Sequence, residues 1–305
     1  MSVQYKRAGW VQIGTQAFKG LHLKFHVKKS LHPDPNAADI QVFGLSPASR
    51  ALIGSLDTVT APSTPAQTIV LMGGYEDAVQ LLFLGNAKTI DHAKQGPDWV
   101  THIVCGDGEL DYKSAFSSFS MGAGTTLAQV ITRLGSDMWL DTKTAMTQLA
   151  QLVPGGMKFL QGYSAHGRTV RELTRVTAKA EIEWSIQEGS LVLLAKGTGL
   201  KERAKIISAE TGMVGSPDHG KPQRDGDISY LKVKCLLDGS IKPGRCIHLV
   251  SQATTGDYRC ERVEHQGELD GPAWYSDVEM VPWGSASPAP PASASEAESE
   301  EAEPG

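Results

Sequence analysis

Three carboxylates alternate in the segment Asp107-Gly108-Glu109-Leu110-Asp111. Carboxylates at i, i+2 and i+4 are raw material for a calcium site or for the acid pair of a glycoside hydrolase. The spacing does not fit an EF-hand loop, and a solvated turn accounts for Asp107, Glu109 and Asp111 without chemistry. Gly162-Tyr163-Ser164-Ala165-His166-Gly167 comes within one residue of the G-x-S-x-G turn that presents a nucleophilic serine. His166 stands where the second glycine must relieve backbone crowding, so Ser164 is expected in an ordinary loop before a helix. Gly122-Ala123-Gly124-Thr125-Thr126 could hold an anion on free amides at a helix start. It lacks the Lys of a phosphate loop and the glycine spacing of a dinucleotide loop, so a Gly hinge before a capped helix is expected.

His22, His26 and His32 suggest a metal, but on a strand His22 and His26 lie about 13 Å apart at the usual rise per residue. Leu23, Phe25 and Val27 between and beside them favour the strand, so solvent-facing histidines are expected. Cys105, Cys235, Cys246 and Cys260 show no C-x-x-C spacing and sit in apolar stretches. They read as small buried hydrophobes in a reducing compartment rather than a disulfide framework. The tryptophans at 10, 99, 139, 184, 274 and 283 are scattered, which fits separate amphipathic core residues and no aromatic platform. No catalytic, cofactor-binding or metal residue is therefore assigned, and no cofactor is expected.

The elements that would position these residues fall into three blocks. Segments 10–13, 21–27 and 39–43 alternate apolar with polar residues, the period of a half-buried strand. Segments 68–75, 79–85 and 97–106 read as further strands, and 46–53 as a short helix with Ser46 as N-cap and Pro47 first. Near Met121 the period changes. Leu127, Val130, Ile131 and Leu134 mark one helical face over 125–138, capped by Thr125 or Thr126. A less regular stretch follows at 140–152. A second amphipathic helix is expected at 169–180, with Val170, Leu173 and Val176 inward. Strands at 181–187 and 191–196 follow, joined by the turn Glu188-Gly189-Ser190. Strands then return at 205–208, 228–237, 245–252, 257–267 and 273–281, punctuated by Gly and Pro turns.

The fold class is thus mainly β with an α+β insert. Residues 1–120 are expected to form a first antiparallel β domain, barrel or sandwich, 121–202 a helical and α/β insert, and 203–284 a second such β domain. The tail, 285–305, carries five Glu, no basic residue and no large apolar side chain, so it cannot offset its ordering entropy and is expected to be disordered. Net charge is −5 over 305 residues, and the tail accounts for it, leaving a near-neutral body. That balance speaks against a dedicated nucleic-acid binder. No apolar run approaches the roughly 20 residues of a bilayer span, and the opening MSVQYKRAGWVQIGTQ has no apolar core of a signal peptide.

Family resemblance adds what spacing does not carry. The segments IISAETGM with Val214-Gly215-Ser216-Pro217, LKVKCLLDGSIKPGRCIHLV, Gly256-Asp257-Tyr258-Arg259, RVEHQG and Trp274-Tyr275-Ser276-Asp277-Val278-Glu279 resemble the C-terminal barrel of T-four-type phage baseplate hub proteins. Segments 23–27, 40–45, 69–75, 82–85 and 98–101, with Gly106-Asp107-Gly108, resemble the first barrel. Residues 167–179, Trp184 and Gly189-Ser190-Leu191-Val192 resemble the insert. The resemblance spans residues 1–284, and the acidic tail matches none of the family's motifs.

The resemblance implies two tube-type barrels per chain and a homotrimer. Its six barrels would form a pseudo-six-fold ring between a hexameric tail tube and a trimeric central spike. Implied partners are the tail tube or distal tail protein above, the spike below and a tape measure protein in the lumen, with DNA only in transit during ejection and no membrane segment. The implied location is the virion tail baseplate, after assembly in the host cytoplasm. It implies no enzymatic activity. Two rival readings are a receptor- or carbohydrate-binding tail-tip module and a cell-wall hydrolase using Ser164/His166 or Asp107/Glu109.

Overall fold

A computed structural model describes residues 6–32, 35–54, 67–107, 114–200, 203–220 and 230–284. Glu109, Asp111 and the tail 285–305 lie outside the described residues.

The first strand set comprises β1 (Arg7–Ile13), β2 (Gln16–Lys19), β3 (Leu23–Ser30), β4 (Ala37–Phe43), β5 (Thr68–Tyr75), β6 (Ala78–Gln95) and β7 (Asp98–Gly106). Alternation places Leu23, Phe25 and Val27 of β3 inward with Ile40 and Val42 of β4, and their other faces are wet. Ile69, Leu71, Leu82, Phe83, Ile90 and Ile103 complete this core. Full burial of each such side chain contributes about 1.5–3 kcal/mol. Helix α1 (Pro47–Ile53) begins as its sequence requires, with the Ser46 hydroxyl accepting from Ser49 N–H and Pro47 at the first turn.

The insert contains β8 (Phe116–Met121), β9 (Thr125–Thr126), α2 (Leu127–Asp137), α3 (Lys143–Leu152), β10 (Lys158–Phe159), β11 (Tyr163–Arg168), α4 (Thr169–Ala178), β12 (Ile182–Gln187) and β13 (Ser190–Ala195). Thr126 and Gln129 form a reciprocal capping box at the start of α2. Leu127, Val130, Ile131 and Leu134 face Leu173, Val176, Trp184 and Leu193 in a separate core. Residues 163–168 are a strand paired with β8, not the loop expected before α4. The β8–β11 ribbon escapes the alternation rule because Ser117, Ser118, Ser120 and Ser164 supply little hydrophobic contrast.

The second strand set comprises β14 (Lys205–Ser208), β15 (Met213–Gly220), β16 (Tyr230–Leu236), β17 (Cys246–Val250), β18 (Thr255–Glu268) and β19 (Trp274–Pro282). Its core gathers Val233, Ile247, Leu249, Val263, Val278 and Met280. Strand β15 carries Gly, Ser and Pro and is unreadable by alternation.

Both sets belong to one 13-stranded sheet, and their strand orders match. The first runs β3-β4-β7-β6-β5-β1, with β2 as an added edge. The second runs β15-β16-β19-β18-β17-β14. The chain order of corresponding strands is the same in both sets. The one difference in sense is that β14 runs parallel to β17, whereas β1 runs antiparallel to β5. The match extends to residues. Bulges interrupt β6 between Ala87 and Thr89, and β18 between Cys260 and Arg262. Beyond each bulge a β-branched residue is fully buried, Ile90 or Val263. An acidic residue and then a histidine follow, Asp91-His92 or Glu264-His265. Each histidine opposes a hydroxyl residue two positions past a tryptophan: Thr101 after Trp99, and Ser276 after Trp274. His92 Nδ1 lies 2.9 Å from Thr101 Oγ1, and His265 Nδ1 lies 2.8 Å from Ser276 Oγ.

Candidate assembly interface

The two sets are joined edge to edge. Residues 262–268 of β18 pair antiparallel with residues 24–30 of β3 over seven residue pairs. Gly267 opposes Phe25, and a Cβ at Gly267 would fall inside the contact distance of the Phe25 ring, so only glycine lets that ring lie flat across the joint. Phe25 meets Trp274 edge-on at 5.6 Å, and Trp274 Nε1–H donates to Gly74 O at 3.2 Å. On the wet face, His26 Nε2 lies 2.9 Å from Glu264 Oε2, and His22 Nδ1 lies 2.8 Å from Asp270 Oδ2. The two histidines, expected from the sequence to face solvent on a strand and not to share a metal, reach different carboxylates and fasten the joint. Among the described residues no three His, Cys, Asp or Glu side chains are grouped to hold a metal ion.

At this joint His265 is 1% exposed, and burial, with Lys29 nearby, pushes its pKa down to about 3, against a weaker opposing pull from Asp238. It is therefore neutral when folded and protonated only in the unfolded chain between about pH 6.5 and 3. The folded state binds fewer protons there, so stability falls as pH falls through that window, by up to about 1.4 kcal/mol per unit. His265→Gln is expected to flatten this slope between pH 6 and 4, as read from denaturant midpoints.

A buried polar cluster pins the insert to both strand sets. Glu188 and Gly189 form the two-residue turn between β12 and β13 with φ of 56° and 75°. Both turn N–H groups donate to Asp107, at 2.7 Å to Oδ2 and 2.8 Å to Oδ1. Asn36 Nδ2 donates to Ile186 O at 3.0 Å and to Asp107 Oδ2 at 3.3 Å. The Glu188 carboxylate receives Lys29 Nζ at 3.2 Å and Lys242 Nζ at 3.1 Å. Burial alone would raise the Glu188 pKa, and the two ammonium groups overcome it and hold it low. Burial lowers Lys29 and raises Asp107, so Asp107 is a buried clamp and not the solvated residue that its sequence suggested. Asp107→Ala removes the acceptor of two half-buried turn N–H groups and of the buried Asn36 amide, and is expected to lower unfolding free energy by about 1–3 kcal/mol.

A second buried cluster lies where β18 meets the insert. Arg259 is fully buried; Nη1–H donates to Glu183 Oε2 at 2.9 Å and to Thr198 O at 2.7 Å, and Nε–H to Glu261 Oε1 at 2.5 Å. Its Nη2 has no hydrogen-bond partner among the described residues.

The remaining sequence candidates do not assemble a reaction centre. Ser164 Oγ pairs with Ser120 Oγ at 3.0 Å, while His166 Nδ1 pairs with Ser118 Oγ at 3.2 Å, so each reaches across the ribbon to a different serine. Gly122 to Gly124 form a turn, and Thr125 and Thr126 pair with β10 before the helix starts. The four cysteines are free. Burial pushes the Cys105 and Cys235 thiols up to about 12 and Cys260 well above its ordinary value. Cys246 is half-buried. Iodoacetamide is expected to label Cys246 first in the native protein, with the other three reacting only on unfolding, as read by peptide mass spectrometry.

Of the tryptophans expected in cores, only Trp184 and Trp274 are buried there; Trp139 is 85% exposed, and Trp99 and Trp283 are about 40% exposed. Sheet edges also lie open. Among the described residues, β2 pairs only with β1, β15 only with β16, and β14 only with β17. Residues 89–95 of β6 pair only with β7. Exposed Ile206, Val214 and Val250 lie around the β14 and β15 edges. No described helix is long and apolar enough to cross a membrane.

Comparisons with known proteins agree with this architecture. The 43 kDa tail protein of prophage MuSo2 from Shewanella oneidensis superposes with TM-score 0.64 at 9% identity, covering 92% of this chain and 100% of that one. A tail protein from Neisseria meningitidis MC58 gives 0.62 at 9% identity, covering 92% and 98%. The E. coli c3393 protein, a type VI secretion component described as similar to the T4 tail proteins gp27 and gp5, gives 0.59 at 12% identity, covering 92% and 79%. No curated protein matches the chain in sequence. The profile of a family described as baseplate hub gp41 matches residues 9–266, and the chain, mainly β with a helical insert, belongs to that family.

Proposed function

We propose that this protein is the non-enzymatic hub of a phage tail baseplate, a homotrimer that adapts a hexameric tail tube to a three-fold spike. The observation that carries the reading is the strand order that occurs twice in one chain, with the two copies joined edge to edge. Three such chains supply six like units, which meet a six-fold partner on one side while the chain itself repeats only three times. The division into domains at 1–120, 121–202 and 203–284 belongs to this reading. The tube or distal tail protein sits above, the spike below, and tape measure protein and DNA pass through the lumen. Near-neutral charge outside the acidic tail suits a lumen that does not retain phosphate. Assembly takes place in the host cytoplasm, and the finished hub resides in the virion baseplate.

Light scattering with negative-stain averaging tests this. A mass near three chains of 32.7 kDa, with six-fold texture on one face, is expected. A chain that stays monomeric even when co-expressed with its spike overturns it. Degradation of purified peptidoglycan that is lost in Ser164→Ala would instead favour the hydrolase.

A further inference from the structure

We infer that the open edge of β6, residues 89–95, receives β15 (Met213–Gly220) of a second copy of this chain, repeating between chains the joint that β18 and β3 make within one. The inference rests on the trimeric reading above and adds the surfaces that make it.

The strand order makes β6 the counterpart of β18, and β3 the counterpart of β15. In the intrachain joint β18 uses the residues beyond its bulge, 262–268. The counterparts beyond the β6 bulge are residues 89–95, which have no partner on that side among the described residues. β15, the counterpart of β3, is likewise unpaired on its outer edge. Each chain thus ends its sheet with one acceptor and one donor of a joint it already makes once.

Burial supports the same assignment. In the closed joint His265 is 1% and Trp274 3% exposed. Their counterparts at the open edge are less covered: His92 is half-buried, with Nε2 3.1 Å from Gly54 O, and Trp99 is 39% exposed, with the Arg50 guanidinium over its ring at 4.2 Å. A strand laid on β6 would cover both.

Side-chain volume is complementary as well. In the closed joint β3 brings the bulky Phe25 to Gly267. At the corresponding place β6 has Lys94, and β15 has its bulge with Gly215, Ser216 and Pro217 and no large apolar side chain. The large residue has changed sides. Pro217 has no N–H and interrupts the ladder there, so pairing falls to residues 218–220 and 213–214. A guarded edge of this kind also discourages unrelated strands.

Two unlike surfaces on one chain make a head-to-tail contact, which closes into a ring when the turn per joint divides the circle. Transferring the register of the closed joint sets Ala93 opposite Asp218 of the next copy.

The test uses the full chain carrying both Ala93→Cys and Asp218→Cys under mild oxidation, with each single variant as control. Covalent dimers and trimers in the double variant, absent from both singles on non-reducing gels, are expected. A three-chain assembly by light scattering without this cross-link overturns the inference and leaves the trimer standing. A second pair, Ala17→Cys with Ile206→Cys, then reports whether β2 and β14 make the contact instead. A chain that remains monomeric with its spike co-expressed overturns the trimer and this inference together.

Discussion

Arg259→Met is expected to lower the unfolding free energy by about 3–5 kcal/mol, measured by chemical denaturation. The guanidinium has no exposed surface, and it is the partner of two carboxylates from different parts of the chain, Glu183 on β12 and Glu261 on β18. Removing it takes the Arg259 cation away from Glu261, 3% exposed, and from the less buried Glu183. Breaking a buried pair is far more damaging than replacing it whole, because the orphaned charge keeps its desolvation penalty. The double variant Arg259→Met with Glu261→Met is therefore expected to be more stable than Arg259→Met alone. If the single change proves neutral, the guanidinium is not the fastener between β18 and the insert.

Phe25→Ala is expected to cost about 3–5 kcal/mol, at the level of other buried aromatic truncations. The ring fills the joint between the strand sets, touching Trp274 and lying over Gly267. Gly267→Val is expected to destabilise as well, because its side chain would need the volume of that ring. The two changes should not add: in the Phe25→Ala background the valine meets a vacated space, so the double variant should be less unstable than the sum. Additive losses would mean that ring and glycine do not share the joint.

Much of the fold was legible where local chemistry and burial agree. Ser46-Pro47, the capping box at Thr126, the hairpin at Glu188-Gly189 and the alternation in β3, β4 and β16 each state their structure in a few residues. Strands β8, β11 and β15 were not legible, because Ser, Gly and Pro remove the hydrophobic contrast on which alternation depends, and β2 is four residues long with one half-buried side chain, too short to show a period. Strand β6 was read as ending at Gly85 yet continues to Gln95, because β7 holds its polar second half in place. Asp107 looked like a solvated turn residue because its ligands, the N–H groups of residues 188 and 189, lie some 80 residues away. The internal repeat was hidden for a related reason. Outside Asp91-His92 with Glu264-His265, Trp99 with Trp274 and Thr101 with Ser276, the matches named above rest on burial, which tolerates many apolar residues.

The joint between β3 and β18 also dictates an order of events during synthesis. Its partners His26 and Glu264 are 238 residues apart, so β3 emerges from the ribosome long before the strand that covers it. Until residue 268 is made, the nascent first strand set exposes an apolar strand with an open edge, the kind of surface that recruits chaperones or other nascent chains. Closing so distant a contact is slow, since the loop entropy must be met before any pairing is gained. Truncation before β18 should therefore yield a product that aggregates rather than a smaller soluble domain, and late closure of this joint should set the pace at which assembly-competent chains appear.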